Sequence, residues 1–166
     1  MSSTQDPKAV VNRLINDVIN ARRPDLAHEV MHPELEVKRM GMQKSAQYLA
    51  ALNGAGGDGL KDHGGPPSDP IEGFKTAFAR ILVSFPDMRN NLVGPQVVDG
   101  DLVISHITFS GTHQGDFLGC APTGKFIEFD EVLFQRVEDG KVREVWAIAD
   151  GLDLLEQLGV IPTPGE

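Results

Sequence analysis

Glu131, His106 and Asp150 are the side chains whose types and positions could move a proton. Glu131 shares one face of an alternating run with Phe129 and Leu133. A carboxylate withdrawn from water by such neighbours holds a proton more tightly and can act as a general base. The alternative is a carboxylate paired with an arginine such as Arg136 or Arg39, or one placed near a pocket mouth. His106 stands mid-run with Ile104 and Thr108 on its own face. It is a candidate partner for Glu131, against the alternative of a hydrogen-bonded structural histidine. Asp150 follows the last apolar run, where it is either an acid or the cap of a terminal helix. His113 lies in Gly111-Thr112-His113-Gln114-Gly115, where its simpler task is to hold a turn through bonds to the backbone. Cys120 has no neighbouring base in sequence and is not read as a nucleophile. The five histidines, His28, His32, His63, His106 and His113, show no metal-binding spacing, so no metal is expected.

These residues sit on strands. Val103-Ile104-Ser105-His106-Ile107-Thr108-Phe109 is rich in β-formers and stops at Ser110-Gly111. Residues 125–137 form another such run, and Asp139-Gly140 turns it into the return run 142–149. Leu152, Leu154, Leu155 and Leu158 then mark a short amphipathic segment stopped by Gly159 and Pro162. Upstream, Asp6-Pro7 starts a helix whose stripe is Val10, Val11, Leu14, Ile15, Val18 and Ile19. Asp69-Pro70 repeats the device before Phe74, Ala77, Phe78, Ile81, Leu82 and Phe85. A short strand is expected over residues 35–40, and Ser45 could cap a helix carrying Ala46, Leu49 and Leu52. Residues 53–70 hold six glycines and three prolines with almost nothing to bury, and read as a disordered insertion or a mobile flap. Helices followed by an antiparallel meander and a last helix argue for one α+β domain over residues 1–166, its helices on one face of a curved sheet.

The composition is that of an ordinary globular chain, with 40% hydrophobic and 23% charged residues. A net charge of −9 argues against a general nucleic-acid partner or an anionic membrane surface. One cysteine forms no intramolecular disulfide. No apolar run reaches the length of a membrane span and residues 1–8 do not read as a signal peptide, so no membrane partner and a cytoplasmic address are expected.

Phe85-Pro86-Asp87, Asp99-Gly100-Asp101, Gly111-Thr112-His113-Gln114-Gly115, Pro122-Thr123-Gly124-Lys125, Asp139-Gly140-Lys141 and Gln157-Leu158-Gly159 occur in this order. Together, and with His32-Pro33, they resemble the SnoaL-like polyketide cyclase (ester cyclase) family. The resemblance implies a nuclear-transport-factor-2-like (cystatin-like) cone: a strongly bent antiparallel sheet with helices enclosing a pocket, often dimeric. It also implies cofactor-free chemistry, an intramolecular aldol closure run by an aspartate on the last strand and a histidine on its neighbour. Here those positions carry Ala147 and Leu133. If both face the pocket as their counterparts do, Phe129, Glu131, Gln135, Val145 and Ala149 share that face. Ile19, Phe129, Leu133 and Ala147 are then the expected contacts for a small hydrophobic molecule. Val132, Phe134, Trp146 and Ile148 lie on the outer face, which is too apolar for water and suggests a homodimer. Two functions follow: a cofactor-independent enzyme moving protons on a polyketide-like substrate, as cyclase, isomerase or hydrolase, or a non-catalytic module binding a hydrophobic ligand.

Overall fold

The computed structural model describes residues 6–40, 45, 69–162 and 165. The expected insertion at 53–70, apart from Asp69 and Pro70, and the expected helix after Ser45 lie outside the described residues.

The first helix, α1 (Pro7–Arg13), begins as its sequence dictates: Asp6 accepts from the Lys8 amide and Pro7 occupies the first turn. It continues through a π-helical segment, Leu14–Asn20. Asn20 ends the segment by exchanging two 2.8 Å bonds with the backbone of Asn90, which ties the helix to the sheet next to Ile19. A 3₁₀ turn (Pro24–Leu26) and α2 (Ala27–Val30) lead into β1 (Met31–Met40). Asp69 caps α3 (Pro70–Ser84), accepting from the amides of Ile71 and Glu72. Strands β2 (Arg89–Leu92), β3 (Val97–Asp99), β4 (Leu102–Thr112), β5 (Phe126–Glu138) and β6 (Lys141–Ala149) follow, then α4 (Gly151–Gln157). The β5–β6 hairpin turns at Asp139 (φ 50) and Gly140 (φ 73). Two positive φ angles make the turn whose twist matches paired strands.

The result is the expected α+β architecture: a curved, unclosed six-stranded sheet ordered β1-β6-β5-β4-β2, with β3 also on β4. Every pairing is antiparallel except β1 with β6. Burial alternates along β4 and β5, so one face is interior. Val10, Val11, Leu14, Ile15 and Val18 pack there against Val103, Ile107, Leu133, Val142 and Ala147. A second cluster gathers Phe78, Phe85, Met88, Phe109, Ile127, Phe129 and Leu154. Ile19 and Phe74 touch both clusters and stay only partly buried. Ile19 and Phe74 therefore mark the seam where the two clusters meet.

The family-like motifs turn out to be braces. Asp87 receives 2.6 and 2.7 Å bonds from the Thr112 amide and hydroxyl, and these bonds hold its carboxyl below the usual carboxylate range. His113 is fully buried and stacks on Phe85 at 5.3 Å. Its Nδ1 accepts from the Thr123 amide at 3.2 Å, closing the loop as a turn-holding histidine should. Burial pushes its pKa down.

Candidate active site

The concave face of β5 and β6 brings the candidate residues together. Leu133 pairs with Ala147, Glu131 with Ala149, and Gln135 with Val145. All six share one face, as the alternation predicts. Glu131 is only 3% exposed; Phe129 and Leu133, buried like it, stand on either side of it along β5. Across β4 its partner is Ile107. An isolated charge in such a place would be costly, and it is not isolated. Arg39 Nη1 lies 3.2 Å from Oε1 and 3.5 Å from Oε2.

The register explains how an arginine from β1 reaches a glutamate on β5. Arg39 pairs with Ala147 in the parallel β1–β6 ladder, which puts its side chain on the interior face. Strand β6 lies between β1 and β5, and on this face it presents only Ala147 and Ala149 near the pair. Two methyl groups leave room for the guanidinium and carboxylate to meet above them. A charge pair thus spans the place where the resemblance implies an aspartate.

A second polar group lies on the far side of Leu133. Ser105, fully buried and paired with Leu133 across the ladder, donates to Gln135 Oε1 at 3.3 Å and accepts from Gln96 Nε2 at 3.0 Å. Sequence reasoning placed Gln135 on this face but missed Ser105 and Gln96. The alternation of β4 (Val103, Ser105, Ile107) could have found the serine, since a small hydroxyl alone among buried apolar positions needs a partner.

His106 does not join Glu131, and the expected pairing is corrected. It is Val132, not Glu131, that faces His106 across β4 and β5, so the imidazole lies on the convex side. There its Nε2 meets Asp130 Oδ1 at 3.3 Å. Asp150 is exposed and caps α4, accepting from the Asp153 amide at 3.1 Å. Ile19 borders the seam. Burial raises the Cys120 thiol pKa, which disfavours a thiolate. Among the described residues no three His, Cys, Asp or Glu side chains converge as a metal site, and no helix is long and apolar enough to cross a membrane.

A bent sheet enclosing helices on its concave side, with buried polar groups on the inner strands, is the nuclear-transport-factor-2-like arrangement. Residues 59–158 match the SnoaL-like polyketide cyclase family, and the chain belongs to it. The chain is similar to IdmH of Streptomyces antibioticus, described as a candidate polyketide cyclase: 26% identity, 93% of this chain and 99% of that one, TM-score 0.69. A candidate SnoaL-like polyketide cyclase of Jannaschia sp. CCS1 has 21% identity over 94% of this chain and 93% of that one, TM-score 0.69. AclR of Streptomyces galilaeus, described as a candidate hydroxylase, has 21% identity over 99% of this chain and 87% of that one, TM-score 0.71. The last two likenesses carry the fold alone. No curated protein matches the chain.

Proposed function

We propose that the chain is a cofactor-independent enzyme that moves protons on a small hydrophobic, polyketide-like molecule bound at the concave face. Glu131 is its acid/base. A C–H bond beside a substrate carbonyl breaks, its electron pair moves onto the carbonyl oxygen as an enolate, and Glu131 holds the proton until it returns to carbon (isomerase) or passes to the alkoxide oxygen that forms when the enolate carbon adds to a second carbonyl (cyclase). Cyclase and isomerase chemistry both begin this way; in a hydrolase Glu131 would instead take its proton from the water that adds to the carbonyl. One observation carries the proposal: a carboxylate 3% exposed, with Phe129 and Leu133 on either side of it, on the interior face of the sheet. Family membership supports the substrate class. Leu133 and Ala147 stand where the ester cyclases carry histidine and aspartate, which argues for a different reaction from theirs.

The test is exchange of α-protons for solvent deuterium in a panel of aryl β-keto esters, followed by NMR. Glu131→Gln keeps the shape and removes the base, and should slow exchange about 100- to 10,000-fold, the range of general acid/base catalysis. Undiminished exchange removes Glu131 from the chemistry. The Arg39 contact at 3.2 Å favours a second reading, a binding module in which the pair is structural. Retained ligand binding without any exchange in the wild-type chain would select it.

A further inference from the structure

The Arg39–Glu131 pair is lopsided. The glutamate side chain is 5% exposed and the arginine side chain 50%. Only Nη1 reaches the carboxylate; among the described residues Nε and Nη2 meet no acceptor. A guanidinium carries five N–H donors in a planar fork that fits a carboxylate or an enolate oxygen. One nitrogen of that fork is thus spent on a buried anion, while the side chain as a whole stays half in water. Of the apolar side chains on this face, Leu133 and Ala147 are buried and Val145 is only partly so. The chain as a whole carries a charge of −9, so long-range attraction does not draw an anion in, and selection has to be local.

We infer that Arg39 is an anion-recognition residue, and that the concave face prefers an apolar ring system bearing an acidic oxygen (a carboxylate or an ionised enol) over its neutral counterpart. The inference rests on the proposed site and names the substrate class it takes. Glu131 competes with the ligand for the same guanidinium. Removing the glutamate charge therefore tightens anion binding, and removing the arginine weakens it. During proton transfer the negative charge passes from Glu131 to the enolate oxygen, and the same guanidinium can stabilise it in both places.

The experiment is equilibrium binding of 1-naphthoate and of its neutral methyl ester by titration calorimetry. The wild-type chain should prefer the acid. Arg39→Gln should weaken naphthoate about tenfold, the worth of one charge-assisted bond at a half-exposed place, and leave the ester unchanged. Glu131→Gln should tighten naphthoate and leave the ester unchanged. Arg39→Lys keeps the charge and should keep the preference, which guards against misreading a folding defect. A brace without a recognition role would shift acid and ester together. That result, a wild-type chain with no preference for the acid, or an Arg39→Gln variant with unchanged naphthoate affinity, overturns the inference. No turnover is involved, so Glu131 can fail as a base while Arg39 stands as an anion site, and the reverse.

Discussion

Replacing Gly115 with alanine should be among the most damaging single-methyl changes in this chain. Gly115 crosses the end of α3 so closely that a Cβ would stand 3.0 Å from the Val83 carbonyl carbon and 3.2 Å from Ser84 Cα, and nearer still to the Val83 oxygen. All three are backbone atoms, so no side chain can swing aside. The Ser84 carbonyl also accepts the Gln114 amide at 2.9 Å and the Gly115 amide at 3.2 Å, and any retreat lengthens both bonds. Overpacking costs about 1–3 kcal/mol, and weakening two backbone bonds adds about 1 kcal/mol. A loss of about 2–4 kcal/mol lowers the melting temperature by roughly 4–16 °C in a domain of this size. Gly124→Ala is the control: its φ is +70 but nothing lies within 4 Å of the added carbon. Backbone strain alone costs about 1–2 kcal/mol there. Urea unfolding of both variants ranks them. If Gly115→Ala is the milder of the two, close approach is not what requires a glycine in Gly111-Thr112-His113-Gln114-Gly115.

Three other outcomes are expected. His113 has its pKa lowered from 6.5 by burial, so the unfolded chain takes up that proton first. Stability should be complete above pH 6.5 and fall below it by at most about 1.4 kcal/mol per pH unit, a dependence that His113→Gln removes; an unchanged slope in that variant refutes the assignment. Asp87 has its pKa lowered, first by the Thr112 amide and then by its hydroxyl, so its contribution is present above the ordinary carboxylate range and disappears as pH falls through the lower folded value. Asp87→Asn should lower stability at neutral pH and flatten the acid limb of a pH–melting curve. The convex face exposes Trp146 (42%), Ile148 (44%) and Met40 (47%), in register with Phe134 and Val132. We propose a homodimer through this face; Trp146→Glu should shift sedimentation at micromolar concentration to that of a monomer, and a wild-type monomer would end the idea.

Local chemistry was legible in the sequence. Asp6-Pro7 and Asp69-Pro70 start helices because an acceptor side chain and a residue without an N–H solve a problem confined to one turn. Asp139-Gly140 turns a hairpin for a similarly local reason. Period-2 alternation told which residues share a face of β5 with Glu131, because that depends only on the pleat; that this face is the inner one came from the family resemblance. What alternation cannot supply is the neighbour across the ladder. An offset of one residue between β4 and β5 sends His106 to the convex face and Ile107 to Glu131, and such an offset inverts every side chain on a strand. The sequence offers Arg136 and Arg39 alike as the arginine that holds the glutamate. Choosing between them required knowing that β1 runs parallel beside β6 and that Ala147 and Ala149 leave space above it. Arg39 and Glu131 are 92 residues apart in sequence. Only the closing of the sheet brings their charges together.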